Sequence, residues 1–210
     1  MFSPPYSLLN KKDYSSLAPA EKYKWVEYNK FRFTGEWYTT LVGKLVLKSS
    51  MKLGILGNYN DKVGISPFER FEFGGNGLNN QQIGIIGRDI ISARGYDATS
   101  YGANFGQDGR KDGAAVFNKM ALELRYPISL NPQSTIFALA FVEGGNSFRS
   151  VKEFNPFELR RAGGIGLRVF LPMFGLLGFD YGVGFDKTVT GAKTLKTLGT
   201  FNIILGFEPD

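Results

Sequence analysis

Neither cysteine nor histidine occurs among the 210 residues. Without thiols there is no disulfide framework, thiolate zinc site or cysteine nucleophile, and without imidazole there is no His-dependent catalytic triad. No apolar run approaches the eighteen or so residues of a membrane-spanning helix. That excludes a helical membrane protein but not a membrane β-barrel, whose strands alternate and hide their apolarity from window averages. The formal charge is +6, yet Lys and Arg are dispersed rather than run together, so no nucleic-acid partner is expected. Met1-Phe2-Ser3-Pro4-Pro5-Tyr6 has neither the basic nor the apolar part of a signal peptide. The start of an exported product is expected upstream of it.

What is plentiful favours strands. Gly 27, Phe 19 and Tyr 10 suit strands, turns and the aromatic girdles of membrane barrels. Residues 1 to 23, with Pro4-Pro5 and Lys11-Lys12-Asp13, read as loop, and period two sets in from Trp25. Lys30, Arg32, Thr34 and Glu36 then oppose Phe31, Phe33 and Trp37, and Lys44, Lys48, Ser50 and Lys52 oppose Leu45, Leu47, Met51, Leu53 and Ile55. A short strand over Phe68 to Phe73 precedes Gly74-Gly75-Asn76-Gly77. From Val116 to Ser129, Phe117, Lys119, Ala121, Glu123 and Arg125 share a face opposite Val116, Met120, Leu122, Leu124 and Tyr126. Thr135 to Gly145 is apolar on both faces until Glu143, so alternation alone does not orient it. In Arg161 to Leu171 the face of Ala162, Gly164, Gly166 and Arg168 opposes an apolar one, and Leu177 to Phe185 alternates with Gly178, Asp180, Gly182, Gly184 and Asp186. Phe201, Ile203, Leu205 and Phe207 close the chain.

About eight strands result, separated alternately by short turns and long loops. One face of several is too polar for a sandwich core, and the other is too continuously apolar for water. An apolar outside around a polar inside predicts an all-β fold, an antiparallel transmembrane β-barrel. A soluble lipocalin-like binder is disfavoured on the same ground.

Residues 74 to 113 form a long loop, and such loops are uncommon in compact folds unless functional or disordered. Within it Ile90-Ile91-Ser92-Ala93 leads to Arg94-Gly95-Tyr96. Glycine permits a tight turn, arginine offers a planar fork of donors and the ring anchors the turn. Taken as a bare tripeptide, it reads more readily as a solvated arginine on a surface turn. A guanidinium inside a barrel would have to be paired, and Glu123 and Glu143 on neighbouring strands can do this. As a glycosidase pair these two carboxylates lack an evident cleft. The glycines at 74–77 lack a following Lys-Ser/Thr, and those at 163–166 sit inside an alternating strand, so neither is a nucleotide motif.

An ordered set of segments spans Tyr28 to Phe207: Phe68-Glu69-Arg70-Phe71 with Gly74-Gly75, Arg94-Gly95-Tyr96, Leu122 to Pro127, Phe141 to Asn146, Gly164 to Arg168, Leu171 to Gly175 and Asp180-Tyr181-Gly182. It resembles the C-terminal half of the barrel in the BamA family of outer-membrane protein assembly factors, within the bacterial surface antigen superfamily. The resemblance implies a sixteen-stranded membrane barrel whose loop, tipped by Arg94, Gly95 and Tyr96, folds back into the lumen. It also implies that Arg94 pairs with Glu123 and Glu143. Phe201, Ile203, Leu205, Gly206 and Phe207 match the closing strand and its C-terminal aromatic signal, although Glu208-Pro209-Asp210 follow.

Residues 1–210 are therefore expected to be the C-terminal portion of a barrel domain, a fragment without the family's periplasmic domains. Implied with it are residence in the outer membrane of a Gram-negative bacterium and a lateral seam beside the last strand. Unfolded outer-membrane proteins, accessory lipoproteins and the lipid bilayer would be the partners. No enzyme activity, cofactor or metal is expected. Two alternatives are a related polypeptide-secreting transporter and a self-contained small barrel with a structural or adhesive role. The small barrel requires the last strand to pair with the strand near Trp25 to Thr39.

Overall fold

The two-residue period sets the architecture. The computed structural model describes residues 1–10, 12–75, 89–96, 113–131, 133–172, 175–187 and 194–206. Among the described residues nine strands are present: β1 (Asn29–Val42), β2 (Leu45–Gly57), β3 (Phe71–Phe73), β4 (Asp89–Ile91), β5 (Val116–Asn131), β6 (Ser134–Phe148), β7 (Arg160–Leu171), β8 (Gly175–Gly184) and β9 (Gly199–Gly206). Seven make one antiparallel sheet in the order β1-β2-β5-β6-β7-β8-β9. The other two, β3 and β4, form a separate parallel pair. Residues 1–28 carry two single-turn helices, α1 (Tyr6–Leu9) and α2 (Pro19–Lys22), and a third, α3 (Leu195–Leu198), precedes β9.

Turn chemistry sets the two ends of this wall. Gly43, at φ 57°, takes the left-handed conformation that a two-residue hairpin demands between β1 and β2. Short connections also follow β5 and β7, whereas the links after β2, β6 and β8 are long. In membrane barrels short turns mark the periplasmic end and longer loops the extracellular one. Pro127 cannot donate to a ladder, and the β5–β6 register slips between Pro127 and Ser129.

Register joins one parity of every strand into one face. Lys30, Lys48, Lys119, Glu123, Glu143, Arg168, Asp180 and Asn202 lie on it and are all buried. Phe31, Phe33, Trp37, Leu122, Val142, Ile165 and Leu205 point the other way and are exposed. Charges inside and large apolar side chains outside would be unfavourable in water and are favourable in hydrocarbon.

Three expectations change. The strand expected over Phe68 to Phe73 shrinks to Phe71–Phe73 and leaves the wall, because Glu69 sits at φ 65° and breaks the alternation. Thr135 to Gly145 is oriented by its register, with Leu139, Phe141 and Glu143 turned inward. The sheet ends on β1 at one side and β9 at the other, so the pairing required of a self-contained small barrel does not occur among the described residues.

Against the inner face, near the long-loop end, sits an apolar cluster of Phe71, Phe73, Ile91, Tyr96, Phe117 and Phe148. Phe71 and Phe117 meet edge to face at 4.7 Å. Fully burying such side chains contributes roughly 1.5–3 kcal/mol each, which orders the short β3–β4 pair against the wall.

Candidate functional site

The arm that carries Arg94 is held by backbone bonds before any charge is considered. Gly74 N–H donates to Ile91 O at 2.9 Å and Gly75 N–H to Tyr96 O at 2.9 Å. Between them the chain turns at Gly95, whose φ is 87°. The turn lies directly on β8. A Cβ added at Gly182 would fall 2.7 Å from Gly95 N, and one at Gly184 would fall 2.8 Å from Gly95 O. The run of inward glycines on β8 is thus the seat for this turn.

Seated there, the Arg94 side chain crosses the inner face of β6 and β5. Its backbone N–H donates to Glu143 Oε1 at 2.6 Å and its Nε–H to Glu143 Oε2 at 2.8 Å. Nη2 lies 2.7 Å from Glu123 Oε1 and 2.8 Å from Glu143 Oε2. Asp180 is within 3.9 Å of Nη1, and the guanidinium stacks 3.6 Å above the Phe141 ring. Burial opposes the charge on Arg94, but Glu143, Glu123 and Asp180 outweigh it and hold the pKa above its ordinary value. Arg94, Glu123 and Glu143 thus lie within ion-pair distance of one another's charged atoms through the Arg94 guanidinium.

Tyr96 ends the turn by spanning two strand ends. Its hydroxyl donates to Arg161 O at 2.9 Å and accepts from Asp186 N–H at 3.0 Å, while burial pushes the phenol's pKa up. The hydrogen bond from Arg161 holds the Asp186 carboxyl below its ordinary value.

Sequence alone places further members of the network on polar strand faces without joining them to Arg94. Lys119 Nζ–H donates to Ser92 O at 2.6 Å and lies 3.5 Å from Glu143. Arg168 meets Asp180 through two parallel bonds of 2.6 and 2.8 Å, both side chains almost fully buried. Opposite charges on the inward faces of consecutive strands were the available signal. At the arm's base, Lys30 Nζ contacts Glu69 at 3.0 Å and Asp89 at 2.9 Å, tying it to β1. The carboxylates are engaged by cations, and among the described residues no group of three or more metal-ligating side chains occurs.

The closing-strand residues are placed differently. Phe201, Ile203 and Leu205 face outward from β9, and Gly206 is its last residue. Phe207 lies outside the described residues.

A wall with charges inside and apolar side chains outside, and a loop clamped to its inner face, defines a transmembrane β-barrel domain. The Omp85 superfamily domain model matches residues 17–207, and the chain belongs to that superfamily. Its members are outer-membrane β-barrel proteins of Gram-negative bacteria or organelles, and membership supports a role in protein insertion or secretion. No curated protein matches the chain.

Proposed function

We propose that the chain is the loop-bearing, C-terminal portion of a BamA-like assembly factor, which inserts unfolded β-barrel proteins into a Gram-negative outer membrane beside β9. The observation that carries this is the contrast between the two last strands. The loop tip braces β8 from the lumen, whereas no ion pair crosses to β9 among the described residues. Unpaired backbone groups in lipid are costly. On this reading the far edge of β9 is the seam at which an incoming strand adds by β-augmentation.

No bond is made or broken in this mechanism. Arg94, Glu123 and Glu143 position the loop and do not touch the client. Accessory lipoproteins are the expected co-factors of assembly, and no small-molecule cofactor takes part. A conduit for secreted polypeptide fits less well, because the Phe71, Phe73 and Phe117 cluster occupies the inner face.

The test exploits the absence of cysteine from residues 1–210, any cysteine elsewhere in the full-length protein being replaced by serine. The full-length protein carrying Ile203→Cys, reconstituted in liposomes, is offered an unfolded barrel client with a cysteine in its terminal strand. A disulfide between the two, together with client folding that requires the protein, is the expected result. Passage of a soluble passenger without a cross-link to β9 would instead establish the secretion activity and overturn the proposal.

A further inference from the structure

Residues 1–28 lie at the long-loop, extracellular end of the wall, because β1 starts there and its other end enters the short turn at Gly43. They are fastened to the start of β1. Lys30 N–H donates to Met1 O at 2.9 Å and Ser3 N–H to Tyr28 O at 3.0 Å. The Phe2 ring meets the outward Phe31 ring edge to face at 5.2 Å. Leu8 and Leu9 of α1 are exposed, and so is Trp25. Exposed aliphatic side chains with a tryptophan at the end of a membrane strand suit the boundary between hydrocarbon and headgroups. The segment is thereby set at headgroup level in the outer leaflet.

Within it is a cavity of about 330 Å³, lined also by Val63 from the loop after β2. That volume is at the small end of the roughly 300–1,000 Å³ of ligand sites, suited to a headgroup rather than a whole lipid. Lys12, Lys22 and Lys24 bring ammonium groups to its wall, and none of the three has an acid partner among the described residues. Asp13, next to Lys12, is taken by Lys62 at 3.3 Å. Tyr6 and Trp25 add an aromatic wall, their ring centroids 5.5 Å apart. The buried Glu27 carboxylate accepts from Ser7 N–H at 2.8 Å and from Ser7 Oγ–H at 2.5 Å. A carboxylate has about four acceptor sites, and Ser7 fills two of them. With the exposed Glu21, the lining sets two carboxylates against three ammonium groups and stays net positive.

We infer that this cavity binds the headgroup of an outer-leaflet glycolipid, a phosphorylated sugar carried on acyl chains. Clustered ammonium groups without acid partners attract a phosphate as point charges. The Tyr6 and Trp25 rings pack against the apolar face of the sugar, and the unused acceptor sites of Glu27 take its hydroxyls. From there the acyl chains run past Phe2 and Phe31 into hydrocarbon, an anchorage that a soluble sugar phosphate lacks. This inference rests on the membrane-barrel fold and not on assembly activity.

The full-length protein in phosphatidylcholine nanodiscs, doped with a glycolipid whose glucosamine headgroup carries a phosphate and a photoactivatable group, tests it. Cross-links are expected on Tyr6 and Trp25 at about five-fold the level on Val151 and Phe157, exposed residues of the link after β6, a factor equal to about 1 kcal/mol. The same glycolipid without its phosphate should label the cavity less, and so should phosphatidylglycerol carrying the same reactive group. A water-soluble glucosamine phosphate at the same bulk concentration should leave the labelling unchanged. Combining Lys12→Gln, Lys22→Gln and Lys24→Gln breaks no ion pair among the described residues. That triple variant should bring labelling of Tyr6 and Trp25 down to the level on Phe157 while heat-modifiable migration shows an intact barrel. Even labelling of the two regions, or an excess that survives the triple variant, overturns the site. Equal labelling by phosphatidylglycerol overturns the sugar, equal labelling by the phosphate-free glycolipid overturns the phosphate, and displacement by the soluble sugar phosphate overturns the lipid source. Loss of assembly activity would change none of these outcomes.

Discussion

Replacing Arg94 by alanine removes the centre of the lumen network while leaving its acids in place. The lost contacts are the Nε bond to Glu143, the Nη2 contacts to Glu123 and Glu143, and the stack on Phe141. Each carboxylate keeps a second cation, Lys119 at 3.5 Å for Glu143 and the Nε of Arg125 at 2.9 Å for Glu123. Removing one partner of a buried pair costs about 3–5 kcal/mol, and the residual cations put this case near the lower figure. For a domain of this size each kcal/mol moves Tm by about 2–4 °C. A fall of roughly 6–12 °C follows if unfolding is two-state. Heat-modifiable electrophoretic migration of the full-length protein across a temperature series measures it. Arg94→Lys keeps the charge but offers a single point donor where a fork spans two acids, so its Tm should fall between those of the wild type and Arg94→Ala. A Tm for Arg94→Ala within about 2 °C of wild type, under 1 kcal/mol on the same scale, would refute the clamp.

Gly95→Ala puts a Cβ 2.8 Å from Gly184 N in a backbone at φ 87°, adding about 1–3 kcal/mol of strain. Limited proteolysis should then cut near residues 89–96 faster than in wild type. Lys30→Met keeps the apolar stem but removes the tie from β1 to Glu69 and Asp89. Hydrogen exchange should quicken in Phe71–Phe73 and Asp89–Ile91 while β6 and β7 are unchanged. The carboxyl of Asp186 is held below its ordinary pKa by the bond from Arg161. Its contribution is therefore complete above the ordinary aspartate value near ~3.9 and is lost as pH falls through the lower folded value. Acid should loosen the Tyr96 corner, read as exchange at Asp186 N–H, and Asp186→Asn should remove that acid dependence.

How much of this was legible in the sequence varies with the length of the periodic signal. β1, β2 and β5 keep alternation for more than ten residues, so their faces could be assigned before any coordinate. The joining of Arg94 to Glu123 and Glu143 was implied by the family resemblance; from the residues alone Glu123 could be set inward on β5, whereas the side taken by Glu143 on β6 could not be read. β6 was not legible. Phe141 faces the lumen because Arg94 stacks on it, and an aromatic used as a cation platform looks, in sequence, like one used against lipid. The three-residue β3 and β4 are too short for any period to register, and their parallel pairing depends on the apolar cluster beneath them. The Arg168–Asp180 pair is diagonal across β7 and β8, with Arg168 opposite Gly178 and Asp180 opposite Gly166. Without the register its partners could not be named.

The glycines of β8 give the tip a defined place, and that place bears on the seam. Gly182 and Gly184 accept the Gly95 turn, so the bracing falls on the strand that holds β9 rather than on β9 itself. β8 is further tied to β7 by Arg168–Asp180, and Asp186, two residues past its end, is tied to Arg161 and Tyr96. The inward side of β9 offers only Thr200, Asn202 and Ile204 along its ladder with β8, and no ion pair crosses to it among the described residues. Rigidity therefore drops in one step between β8 and β9. On the proposed function this step is useful in both directions: β8 must hold its register while a foreign strand is added beyond it, and β9 must be able to leave a ladder of eight residue pairs among the described residues. A clamp placed one strand further on would stiffen the edge that has to yield.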